Sequence, residues 1–103
     1  MALSHAIVAL NSSTAVALNT DASLTNAVTG EVYPTYAFTT LSIQNVDASA
    51  TVYIGGSTVT SSSYGISLAA GASATIDGLT NEETVYAIST GSSNVAVLKV
   101  TSA

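Results

Sequence analysis

LSIQNVDASATVYIGGSTVTSSSYGISLAAGASATI, from Leu41 to Ile76, is written largely in steps of two. Leu41 and Ile43 alternate with Thr40, Ser42 and Gln44. Val52 and Ile54 alternate with Thr51 and Tyr53. Ile66 and Leu68 flank Ser67, and Ala72, Ala74 and Ile76 alternate with Ser73 and Thr75. Successive side chains of a strand point to opposite faces, so this pattern describes half-buried β-strands. Gly55-Gly56, Gly65 and Gly71 fall between the runs, where tight turns need residues that tolerate positive φ. Ala69–Ala74 is rich in alanine, but its Gly and Ser and its short length argue against a helix.

The same pattern continues outward on both sides. Tyr86 and Ile88 alternate with Val85 and Ala87; Ala96, Leu98 and Val100 alternate with Val95, Val97 and Lys99. The lysine reads as the marker of that strand's outer face. Asp77-Gly78 and Gly91 read as turns. Toward the N-terminus, Ala6–Leu10 is an almost two-sided apolar strand, Asn11-Ser12-Ser13 a turn, and Ala15–Leu18 a short second strand. Short strands at this spacing predict an all-β fold: a small antiparallel β-sandwich, jelly-roll or immunoglobulin-like, of about seven to eight strands. Residues 1–103 form a single domain, with an irregular arm or long loop at about 20–37. Leu41, Ile43, Val52, Ile54, Ile76, Ile88 and Leu98 are expected to face inward as its core.

Composition narrows the function. Hydrophobic residues make up 48% of the 103 residues, enough for one core, but charged residues only 7%, against roughly 25% in an ordinary domain. Ser and Thr together number 31 and Ala 17, so the polar surface is mostly hydroxyl and amide. The formal charge is −5 and Lys99 is the one basic side chain. Binding to nucleic acid draws on many Lys and Arg contacts to phosphate, and binding to anionic membrane needs a basic cluster, so neither partner is expected. With no cysteine, disulfides, thiolate metal sites and thiol catalysis are excluded. Ala6–Leu10 is too short for a spanning helix, and the N-terminus reads as mature protein that enters a strand almost at once.

Candidate chemistry is sparse. Ser4-His5 is the place where a nucleophile and base could pair, but no G-x-S-x-G turn accompanies it, and His5 reads as an edge-strand or surface residue. Glu82 and Glu83 are adjacent and would point apart on a strand; with Asp77 they read as an acidic, solvated loop. Asp77–Glu82 carries oxygen ligands without the spacing of a calcium loop. Gly55-Gly56-Ser57 lacks the lysine of a phosphate loop and reads as a turn or bulge. Asn11-Ser12-Ser13 fits a glycosylation sequon, a match that chance explains in so Ser-rich a chain. The expectation is no enzyme, no cofactor and no metal.

Five tyrosines and no tryptophan disfavour a flat aromatic sugar platform and favour a contact role. Tyr33, Pro34 and Tyr36, in the irregular 20–37 segment, are the candidate protein-contact residues.

Leu41 to Val100 resembles a recurrent family of small tailed-phage virion proteins. The elements are I-x-N at Ile43–Asn45, V-Y-I-G-G-x-x-V-T at Val52–Thr60, and Y-G-x-x-L-x-x-G at Tyr64–Gly71. A Y-A strand at Val85–Ile88 and a closing V-x-V-L at Val95–Leu98 follow. The match covers about 60% of the chain; Val85 stands where that family usually has Leu, and residues 20–37 match nothing in it. The resemblance implies a β-sandwich virion component and brings no catalytic residues with it. It implies a bacteriophage capsid decoration protein that docks on the major capsid protein lattice at the outer surface of the capsid and stabilises it, as a homo-oligomer, a trimer being favoured. A minor tail, neck or fibre protein is the structural alternative, and a carbohydrate-binding module for host recognition the alternative from another class.

Overall fold

The structure, a computed structural model, describes residues 2–19, 38–80 and 83–102. Its strands are β1 (Ala2–Leu10), β2 (Val16–Ala17), β3 (Phe38–Asn45), β4 (Val52–Gly55), β5 (Ile66–Leu68), β6 (Ser73–Thr80), β7 (Tyr86–Ser89) and β8 (Ser93–Ser102). β1 pairs with β8, β2 with β7, β3 with β6 and β4 with β5, all antiparallel. These are the pairings of one long hairpin whose tip is the 56–65 connection. Rolling that hairpin brings β8 against β3 and β7 against β4. Two four-stranded sheets result, β1-β8-β3-β6 and β2-β7-β4-β5. This wrapped double hairpin is the jelly roll, which settles the choice between jelly-roll and immunoglobulin-like sandwiches.

The core lies between the sheets. β1 contributes Ala6, Val8 and Leu10; β3 contributes Leu41 and Ile43; β8 contributes Val95 and Val97. From the other sheet come Val52, Ile54, Leu68 and Ala87, with Leu18 just past β2. Leu41, Ile43, Val52 and Ile54 are therefore buried as expected, and Ile76 packs against them partly covered.

Four expectations change. Leu98 is 39% exposed and faces outward, whereas Val95 and Val97 are buried. Lys99 shares the inner parity of Val95 and Val97. It does so at the rim, where its stem runs along the sandwich and its ammonium donates to the Asn19 carbonyl at 3.0 Å. Ile88 is buried, but it alternates with Ala87, which faces the core; Ile88 lines a hollow on the outer face with Ser12, Ser13, Thr60 and Ser61. Asp77-Gly78 lies inside β6 rather than at a hairpin tip. Thr39 pairs with Leu79 and Leu41 with Ile76, so Asp77 and Gly78 together oppose Thr40 in a β-bulge. Gly78 takes the positive φ of 77° that the bulge needs, and the Thr40 hydroxyl donates to the Asp77 carboxylate at 2.9 Å.

Ser93, opposite Leu10 at the start of β8, has a buried hydroxyl with no hydrogen-bond partner among the described residues. Its removal forfeits no bond and relieves a desolvated polar group. Ser93→Ala is expected to stabilise the fold by about 1 kcal/mol. Urea unfolding should show a higher midpoint at an unchanged slope.

Candidate interaction surfaces

A two-layer sandwich gives every strand one inner and one outer face. A strand that is apolar on both must therefore expose apolar side chains, and β1 and β8 are such strands. On the outer face of their sheet, His5 opposes Leu98, Leu98 opposes Ser42, and Ser42 opposes Thr75. The neighbouring row is Ile7, Ala96, Gln44 and Ser73. Ile7 is 63% exposed, and Val46, just past the end of β3, is 47% exposed. With Leu98 these are three of the four exposed large hydrophobics among the described residues. The twist of the sheet makes this face a shallow hollow of about 460 Å³. His5 lines it together with the hydroxyls of Ser42, Ser73 and Thr75. Among the described residues no carboxylate lines it to orient the imidazole, which is the part a nucleophile–base pair would still require.

The outer face of the second sheet is different in kind. Tyr53 opposes Ile88 there, and its ring meets that of Tyr64 at a centroid distance of 4.7 Å, tilted by 45°. Close by, Ser12, Ser13, Thr60, Ser61, Ser89 and Thr90 ring a hollow of about 340 Å³. The bends around it are held by side chains. The Asn11 carboxamide oxygen accepts from the Ser13 and Thr14 amides at 2.9 and 2.7 Å. The Thr60 hydroxyl accepts from the Ser62 and Ser63 amides. Asn11-Ser12-Ser13 and Ser61-Ser62-Ser63 are thus loops, as their composition predicts.

Two buried asparagines fix the ends of the sandwich, and neither was singled out for a structural role from sequence. Asn45 donates to the Ala50 and Leu68 carbonyls at 2.8 and 3.0 Å and accepts from the Asp47 amide at 3.1 Å. Asn19 donates to the Glu83 carbonyl at 2.7 Å and accepts from the Val85 amide at 2.8 Å. Next to Asn45, the Asp47 carboxylate accepts from the Ala50 and Ser49 amides. These bonds hold its pKa below the ordinary 3.8. The charged form is favoured in the fold, so this contribution is present above that value and lost as pH falls through the folded pKa.

Lys99 responds in the opposite sense. Partial burial holds its ammonium below the ordinary 10.5. Between the folded and unfolded pKa values the unfolded chain binds more protons, so stability rises with pH there. Wild-type protein is expected to gain urea resistance toward pH 10.5 relative to Lys99→Met, in which that gain should vanish.

The other predicted residues do not converge. Asp77 belongs to the β6 bulge, and Glu83 precedes β7 in the other sheet. Glu82, Tyr33, Pro34, Tyr36 and the whole 20–37 arm lie outside the described residues. Among the described residues no group of three or more His, Asp or Glu gathers in metal-binding geometry. No known family model and no curated protein matches the chain.

Proposed function

We propose that this chain is a structural protein of a bacteriophage particle, a decoration protein that docks on the lattice of the major capsid protein at the outer surface of the shell. The observation that carries the reading is where its motif residues fall. Ile43 and Asn45 close β3, Val52, Ile54 and Gly55 make β4, Leu68 ends β5, and Val95 and Val97 line β8. The stretches that resemble virion proteins are those that build the jelly roll, a fold used by viral capsid proteins and by lectins. A fold alone assigns no activity, so the docking role rests on surface chemistry. That surface is hydroxyl-rich and almost free of cations, and among the described residues the exposed aliphatic groups lie on or beside one sheet. Binding to the assembled lattice and not to free subunits would stabilise the shell by mass action.

Protein stoichiometry of purified particles tests this. Copies in fixed proportion to the major shell subunit are expected, along with rebinding of purified chain to particles stripped of it. A handful of copies per particle would reassign the chain to the tail, neck or fibre; its absence from particles would end the virion reading.

One observation favours a second reading, a carbohydrate-binding host-recognition module. It is the hydroxyl-ringed hollow beside the Tyr53–Tyr64 pair. Binding on a glycan array that Tyr64→Ala abolishes would establish it, and a blank array would remove it.

A further inference from the structure

A sheet edge presents unpaired N–H and C=O groups to any strand that approaches, and proteins blunt such edges by shortness, charge, proline or bulges. This jelly roll has four edges, and three are blunted. β2 is two residues long and β5 three. β6 carries the Asp77-Gly78 bulge, with a carboxylate on its outer face. β1 is the exception. All nine of its residues pair with β8 without a register break, and it contains no proline, lysine or carboxylate. No strand lies on its other side among the described residues.

We infer that β1 is an association edge whose occupant is β1 of a second copy of this chain, antiparallel about a two-fold axis normal to the sheet. Two features select a second copy. The first is parity. Such an axis sets residues of equal parity opposite each other, so Ala6, Val8 and Leu10 stay on the core side in both copies. His5, Ile7 and Ala9 stay on the outer side, and the two four-stranded sheets join into one of eight strands with no side chain misplaced. Ile7 then lies beside its counterpart's outer row and is covered by it.

The second feature is charge. Each copy carries −5, so like chains meet with least repulsion where carboxylates are furthest away. Among the described carboxylates, Asp77 sits on β6, three strands or about 14 Å from β1. Asp47 lies between β3 and β4, and Glu83 lies in the connection before β7. Pairing about a two-fold closes at two copies, so the inferred state is a dimer in place of the trimer that the resemblance favours. The inference does not depend on the virion reading and is tested without a particle.

Sedimentation of the purified full chain across micromolar to millimolar concentration is the test. The expected mass is twice the 10.2 kDa of the chain, falling to that value on dilution. Ile7→Lys places a cation on the exposed edge and should halve the mass at all but the highest concentrations, while Thr75→Lys, on β6, should leave it unchanged. Should Ile7→Lys fold poorly by circular dichroism, hydrogen exchange of the wild type decides instead. β1 amides should lose protection on dilution while β4 amides keep theirs. A monomer throughout would overturn the inference and leave β1 to a strand of another protein. A dimer indifferent to Ile7→Lys, or β1 exchange indifferent to dilution, would overturn it equally.

Discussion

Leu41→Ala is expected to destabilise the protein by about 2–5 kcal/mol, and Leu98→Ala by less than about 1 kcal/mol, although both delete the same three carbons. Leu41 has no exposed surface and sits among Ile43, Val97 and the residues of the facing sheet, where a truncation leaves a cavity that close packing cannot refill. Leu98 lies on the outer face between His5 and Ser42 and already touches solvent. Val97→Ala sharpens the contrast. It deletes one carbon fewer than Leu98→Ala, yet it should cost more, because Val97 is the buried one of the pair. For a domain of this size each kcal/mol moves the melting temperature by about 4–8 °C, so Leu41→Ala should melt at least about 4 °C below Leu98→Ala. Equal melting of the two leucine variants would refute the strand parity described for β8.

That parity shows where sequence stops deciding structure. Around Leu41, Ile43, Val52 and Ile54 each apolar residue has polar neighbours, so one face is named and the other excluded, and these residues are core. Val95-Ala96-Val97-Leu98 is apolar on both faces, and only Lys99 offers a marker. A lysine marks the outside in the middle of a covered strand. At a sheet end its long stem can lie along the inner face while its ammonium escapes to a backbone carbonyl, here that of Asn19. Size misleads in β7 for a related reason. Ile88 is larger than Ala87, but the space between the sheets takes Ala87, and Ile88 is covered on the outer face beside Thr60 and Ser61. Asp77-Gly78 is a turn dipeptide in both of its possible uses, since hairpin tips and bulges need the same positive φ. Only the strand pairing on either side tells them apart. The exposed apolar face was legible in principle: two apolar-sided strands in a two-layer fold cannot hide both sides.

The asparagines were not legible, because their partners are distant in sequence: Leu68 stands 23 residues after Asn45, and Glu83 stands 64 after Asn19. Asn45→Ala is expected to cost about 3–5 kcal/mol, a third or more of the stability of a small domain. The Asn45 side chain is fully buried at the end of β3, and its bond to the Leu68 carbonyl crosses from one sheet to the other. Its backbone joins the same end, accepting from the Gly71 amide at 2.9 Å and donating to the Ala72 carbonyl at 2.9 Å. Truncation strips two carbonyls and one amide of partners where water has little access, and each stranded group carries its own desolvation penalty. Asn45→Asp separates lost bonding from lost volume. It keeps the size and the acceptor for the Asp47 amide, but it turns an oxygen toward the Ala50 and Leu68 carbonyls. Burial and those carbonyls disfavour the carboxylate, so its folded pKa rises above the unfolded value of about 3.9. The penalty is then smallest below that value and grows as pH rises toward neutrality. Urea midpoints of Asn45→Asp should therefore approach wild type in acid and fall away at pH 7, whereas Asn45→Ala should stay low at both. An aspartate variant insensitive to pH would mean that the amide fills space without tying the sheets together.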